Sequence, residues 1–314
     1  MELDRVHPTL HRTKDQLDDS SPEQGDISGS LEETEKTPEH PASNPALQLY
    51  PIFEHNDLVR NIRYRIKKGQ GTMLSLRQQK VWSILLSSIK PDAVSTAPIV
   101  FDINDFCMKA GIPTNRGNRY ERVREDLESI MRKVIWIQDS FTGDLISMRY
   151  IVNVHISPRS SQVLVYLDQN MAGLLIGLTG NFTKTYPQSI LPMRSKYAGP
   201  LYRYLKSYVF QTNTHTVDIT ELQERLDSAK YKPTDFRKRV LEPAVSDINT
   251  YCSDLKVEYR IVWGKGSNKT TVEFKITDLE HSTESGDMEE AQKRFDNAEE
   301  ALYANRTEQL SIWD

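Results

Sequence analysis

One order of hydrophobic periodicities occurs twice along this chain, and it constrains the fold more than any composition figure does. Ser75 and Gln78 form a capping-box pattern ahead of Val81, Trp82, Leu85 and Ile89, which share one helical face. A short extended piece, Ile99-Val100-Phe101, comes next, then a short helix over 103–110 closed by Gly111. A turn over 113–118 leads to a longer helix over 119–133, where Tyr120, Val123, Leu127, Ile130 and Met131 recur at helical spacing. Strands are expected over 134–138, 145–154 and 162–167, the first two joined at Thr142-Gly143-Asp144.

The second half runs through the same order. Leu201, Leu205 and Tyr208 line a helix over 196–210, and 216–219 is a short strand. A short helix over 220–229, capped by Thr220, precedes a turn over 230–233 and a longer helix over 234–251. Val257, Tyr259, Ile261 and Trp263 alternate on one strand, and Val272, Phe274 and Ile276 on the next; residues 264–269 (GKGSNK) join them. Helix, strand, helix, helix, hairpin is the layout of a winged helix, a helix-turn-helix followed by a β-hairpin wing. The expected fold is α+β: two tandem winged helices. Periodicity alone leaves open a pair of small helix-plus-strand domains with no role on DNA.

Charge is segregated along the chain. The whole carries 40 Lys/Arg against 44 Asp/Glu, a net of −4, yet residues 1–50 hold −7, residues 278–314 hold −8, and 51–277 hold +11. A basic body between acidic ends favours polyanionic partners. The first 45 or so residues are rich in Ser, Pro, Asp and Glu, a composition that cannot bury enough apolar area to order itself. The expected organisation is a disordered acidic tail over 1–50, a first winged helix over 51–190, a second over 191–278, and an acidic linker, short polar helix and tail over 279–314.

No apolar run approaches the ~18 residues of a membrane span, and the start MELDRVHPTL lacks the basic-then-apolar pattern of a signal peptide. Cys107 and Cys252 lie far apart and form neither a metal pair nor a disulfide framework, so a reducing cytoplasm is the expected compartment. No phosphate loop is present, and no two histidines within 51–277 share metal-ligand spacing. No cofactor and no catalytic residue is expected.

The 234–251 helix carries the clearest chemistry. Phe236, Val240, Ala244 and Ile248, widened by Leu241 and Val245, form its core stripe. Arg237, Lys238 and Arg239 sit in its first turns, with Lys232 and Asp235 just ahead. Three consecutive helical residues fan across ~200°, so all three cannot point one way. Arginine at the start of such a helix can read guanine, and lysine or arginine on phosphate adds affinity without sequence information. Pro243 removes a backbone hydrogen bond inside the helix and should bend it. Lys265 and Lys269 in the wing turn suit a DNA-backbone contact, or are ordinary edge lysines. In the first half, Arg116 and Arg119 precede and open the matching helix. Glu121, Glu125, Asp126 and Glu128 are interspersed there with Arg122 and Arg124, a pattern that surface salt bridges also explain.

The stretches Arg194–Ala198 (RSKYA) and Leu201–Tyr208 (LYRYLKSY) resemble the start of the second domain in Rep initiators of iteron-containing, theta-replicating bacterial plasmids. Asp235–Asn249 (DFRKRVLEPAVSDIN) resembles that family's recognition helix, and Leu255–Tyr259 with Thr271–Ile276 resembles its wing. Asn56–Arg60 and Leu74–Ile89 are similar to its opening, so the resemblance spans about 55–277. It implies two winged helices whose monomers bind direct repeats in the origin. With host initiator and helicase these proteins open an adjacent A·T-rich region. It also implies a homodimer, joined through the first domain, that binds an inverted repeat and represses the initiator's own gene, with chaperones shifting dimers to monomers. Arg237, Lys238 and Arg239 match the family's basic run. The apolar, uncharged strand 162–167 (QVLVYL) is the expected dimer edge. Gln309, Leu310, Ile312 and Trp313 resemble the peptide by which bacterial replication proteins dock on the sliding clamp. A winged-helix repressor with no initiator role has the same DNA chemistry and is the alternative; a nicking enzyme or a protein adaptor are more distant ones.

Overall fold

A computed structural model describes residues 49–63, 73–94, 97–110, 119–157, 159–264, 269–282 and 285–311. The expected tail over 1–48 lies outside them. The described chain opens with β1 (Ile52–His55), α1 (Asn56–Arg60) and β2 (Ile62–Arg63). The first winged helix follows: α2 (Leu76–Ser87), β3 (Ile99–Asp102), α3 (Ile103–Ala110), α4 (Arg119–Met131), β4 (Val134–Gln138), β5 (Leu145–Arg149), β6 (Ile151–Ser157) and β7 (Gln162–Leu167). A connecting region holds α5 (Gln169–Gly173), β8 (Phe182–Thr185) and α6 (Pro187–Ile190). The second winged helix comprises α7 (Ala198–Lys206), β9 (Thr214–Asp218), α8 (Ile219–Arg225), α9 (Pro233–Phe236), a π turn (Arg237–Leu241), α10 (Glu242–Tyr251), β10 (Leu255–Val262) and β11 (Thr271–Asp278). Helix α11 (Ser285–Ser311) ends the description.

The two halves build the same sheet. In the second, the β10–β11 hairpin pairs with β9 in the order β10-β11-β9; in the first, the β6–β7 hairpin pairs with β3 in the order β6-β7-β3, and every pairing is antiparallel. In each half the short strand ends on an aspartate that caps the next helix. Asp102 Oδ1 accepts from the N–H of Asn104 and Asp105 at 2.8 and 3.2 Å. Asp218 Oδ1 accepts from Thr220 and Glu221 at 2.8 and 3.4 Å. The cap of α8 is therefore Asp218, not Thr220, because the helix begins one residue earlier than its apolar pattern suggests. The capping box of α2 forms as expected, with Ser75 and Gln78 exchanging both hydrogen bonds. Helix α7 is shorter than the 196–210 read from periodicity.

The expected strand 145–154 is two strands in two sheets. Sheet β2-β4-β5 takes the first part and sheet β3-β7-β6 the second, with the chain turning at Tyr150. Tyr150 is buried edge-on against Trp82, with ring centroids 5.0 Å apart, and this contact pins the corner. Strand β7 is no dimer edge: it lies between β3 and β6 and both its sides are paired. Its apolar run reflects that central position, since Val163 and Val165 are fully buried. The edge strands of these two sheets are β2 and β5 in one and β3 and β6 in the other.

Buried side chains of both halves form one continuous core, including Trp82, Phe106 and Leu127 from the first and Tyr202, Phe236 and Phe274 from the second. Each such side chain contributes roughly 1.5–3 kcal/mol by leaving water. Polar groups tie the halves as well. Arg203 lies 3.2 Å from Glu54 and donates to Ser83 Oγ at 2.9 Å. Arg60 donates to Ser207 Oγ at 3.0 Å and stacks over the Tyr208 ring at 4.2 Å. Arg225 stacks over Tyr204 at 4.2 Å and donates to the Val59 carbonyl at 3.3 Å. Gly199 permits the closest approach, for a Cβ there would sit 3.1 Å from Gln79 Oε1.

The expected short polar helix over 288–305 is longer and docked. Helix α11 buries Ala298 and Arg294 against the second winged helix. Arg294 donates to the Leu255 and Cys252 carbonyls at 2.9 and 3.5 Å and pairs with Glu290 at 2.5 Å; Lys256 pairs with Glu290 at 2.8 Å. Among the described residues no helix is long and apolar enough to cross a membrane.

Candidate nucleic-acid interface

Lys232, in extended conformation, precedes Pro233 at the first turn of α9, where a missing N–H and a fixed φ cost nothing. The helical rod then widens. The Glu242 N–H reaches back to the Arg237 carbonyl, an i to i−5 hydrogen bond, and residues 237–241 form a π turn. Pro243 explains its position. In a regular α-helix its ring would collide with the carbonyl of Arg239 and leave that carbonyl unpaired. The wider turn relieves the clash, so the expected bend is realised as a π turn.

This turn decides how the basic run is presented. Phe236 and Val240 flank it and are fully buried, as are Leu241, Ala244 and Ile248. Arg237, Lys238 and Arg239 are all exposed. More residues per turn means a smaller arc per residue, so the fan expected for an α-helix narrows and all three reach solvent. Arg237 Nε pairs with Glu242 Oε1 at 2.9 Å. That hydrogen bond, and then the carboxylate's charge, raises the guanidinium pKa further above its usual range. Arg239 sits over the Tyr231 ring at 6.0 Å and Lys230 over the same ring at 5.1 Å. Lys238 makes no ion pair among the described residues. Lys232 is exposed and Asp235 half-buried.

Lys269 is exposed at the base of the wing, its Nζ 3.8 Å from Asp218 Oδ2. Lys265 and Arg116 lie outside the described residues, and Arg119 is placed only by backbone as the first residue of α4. The rest of α4 is largely self-neutralised. Arg124 bridges Glu121 and Glu128, Arg132 lies 3.5 Å from Glu128, and Arg77 of α2 holds Asp126 at 2.7 Å. Gln309 and Leu310 fall in the last turn of α11 by backbone, while Ile312 and Trp313 lie outside the description. Sequence reasoning missed Lys230 and Tyr231, although an aromatic between two lysines ahead of a helix-starting proline was there to be read.

An exposed basic triplet on a helix whose opposite face is core, beside a wing, defines a helix-turn-helix nucleic-acid-binding module, present here in the second of two copies. Residues 51–206 match the family model described as Initiator Replication protein, WH1, and residues 218–277 match Initiator Rep protein, WH2. The chain belongs to this family of tandem winged-helix replication initiators. No curated protein sequence matches it. Among solved structures, the Pi initiator protein, crystallised in complex with iteron DNA, is 14% identical with a TM-score of 0.55, over 74% of this chain and 98% of its own. Domains 2 and 3 of RctB are 11% identical with a TM-score of 0.39, over 66% of this chain and 84% of their own.

Proposed function

We propose that this initiator binds direct repeats in a plasmid origin by inserting the 233–251 segment into the major groove. Arg237 and Arg239 are the base readers, and Lys238, Lys232, Lys265 and Lys269 grip phosphates. Asp235 orients the start of the helix. The single observation that carries this reading is the exposure of all three basic side chains on the π turn. Arg116 and Arg119 supply an accessory contact from the first domain (51–190), the second (191–278) being the main DNA-binding module. With host initiator and helicase, the bound protein opens an adjacent A·T-rich stretch in the bacterial cytoplasm. The bound protein supplies no catalysis of its own and needs no cofactor.

A homodimer, converted to monomers by chaperones, represses the initiator's own gene. Its interface lies at the edge strands β5 and β6, where Leu145, Ile146 and Val152 are exposed and a second copy can add a strand. Gln309, Leu310, Ile312 and Trp313 dock on the sliding clamp. The test is a plasmid carrying only this gene and its upstream repeats. It replicates if the chain initiates, and is lost if the chain is a winged-helix repressor alone.

A further inference from the structure

The inner row of β10 leaves the core in steps. Leu255 and Val257 are fully buried, Tyr259 and Ile261 half-buried, and Trp263, next on the same face, is 50% exposed. Tyr259 faces the start of the recognition helix: burial first, then the charge of Glu242, raises its phenol pKa, with Arg237 opposing. A strand advances ~3.4 Å per residue, so Trp263 stands ~14 Å beyond Tyr259 along the wing. That distance carries it past the basic triplet, roughly one groove-width to the side.

Its position is fixed rather than loose. Val262 pairs with Thr271 in the ladder, and the Gly264 N–H donates to Thr270 Oγ1 at 3.1 Å, closing the base of the wing. Between 256 and 275 the wing holds five Lys/Arg against two Glu, an excess that Glu290 and Asp218 partly offset through Lys256 and Lys269. Both glutamates are paired, Glu273 with Arg260 at 2.5 Å and Glu258 with Lys275 at 3.5 Å. Folding does not require the largest side chain at this place, where half of it stays in water.

The geometry points to Trp263 as a DNA contact: its indole packs against the deoxyribose walls of the minor groove next to the segment that the recognition helix reads. The inference rests on the proposed function and deepens it. An indole on sugar edges supplies affinity by apolar burial, so its contribution is independent of salt. The lysines beside it act through counterion release.

The test measures anisotropy of a labelled duplex carrying the repeats beside the gene, with the full chain, over a range of salt. W263A weakens binding about five- to tenfold at every salt concentration, with the slope of log K against log salt unchanged. W263F stays within about twofold of wild type, since a ring is retained. K269A instead reduces the slope by about one. The four tryptophans also allow a direct view. With 5-fluorotryptophan incorporated, the 19F line absent from W263F shifts when the duplex is added. If W263A proves unstable, that line decides. A line that does not move, or W263A binding as tightly as wild type, overturns the inference and leaves the function standing. A wild-type chain that binds no duplex at low salt overturns the function itself, and this inference with it.

Discussion

Arg237 Nε lies 2.9 Å from Glu242 Oε1, though the residues are five apart, a spacing that puts side chains on different faces of an α-helix. The π turn brings them together, so one carboxylate stands at the rim of the proposed DNA-reading surface. Removing its charge should release Arg237 and lower repulsion from phosphate. E242Q is expected to tighten duplex binding roughly two- to fivefold at low salt, the gain fading as salt rises. Titration of one repeat duplex at two salt concentrations checks this.

Arg124 offers the contrast. It is bridged on both sides by Glu121 and Glu128. R124A should leave affinity for the repeat within about twofold, because the charge it removes is already balanced locally. A loss as large as that of R239A, measured on the same duplex, would place α4 on DNA and revise the division of labour between the domains.

Lys206 is buried with its Nζ 2.9 Å from Asp254 and 3.3 Å from Glu280. K206M strands Asp254 without a counter-charge and should cost about 3–5 kcal/mol in urea unfolding. Glu280 gives the same cluster an acid limb. Burial alone would raise its carboxyl, but hydrogen bonds from Lys184 and Tyr186, with the charges of Lys206 and Lys184, outweigh it and hold the pKa at about 2. A carboxyl depressed in the folded state contributes stability that is full above its ordinary pKa of 4.5 and is lost as pH falls toward 2. Stability should therefore decline between about pH 5 and pH 2, and because Glu280 is partly exposed, solvent screening holds its share to about 1–2 kcal/mol. E280Q should flatten that limb; an unchanged acid limb in E280Q contradicts the assignment.

Arg294 holds α11 to the second winged helix through the Leu255 and Cys252 carbonyls. R294M leaves both unpaired beneath the helix and should cost about 2–4 kcal/mol. Protease cleavage within 285–311 should accelerate while affinity for DNA holds, since α11 is held at Cys252, Leu255 and Lys256, past the C-terminal end of α10, while the basic triplet precedes its start.

What local chemistry dictates was legible in the chain. The capping box at Ser75, the core stripe from Phe236 to Ile248 and the alternation of the wing strands each depend on neighbours in sequence, and each formed. Misreadings came where a distant contact decides. The strand break at Tyr150 depends on Trp82, far away in sequence. The apolar run at 162–167 looked like an edge because apolarity says that a strand is covered, not by what. Arg294 reads as a solvated charge until the carbonyls beneath it are in place. Pro243 announced a distortion of the helix, but not that a π turn would turn three basic residues outward.

The most direct test of the account is selection of duplexes from a random library by the full chain, repeated with R237A and R239A. The account predicts that wild type recovers one short consensus matching the repeats beside the gene. Each variant should lose specificity at particular positions, about five- to 150-fold on the consensus and far less on random duplex. Recovery of the same consensus with undiminished preference by both variants would contradict it.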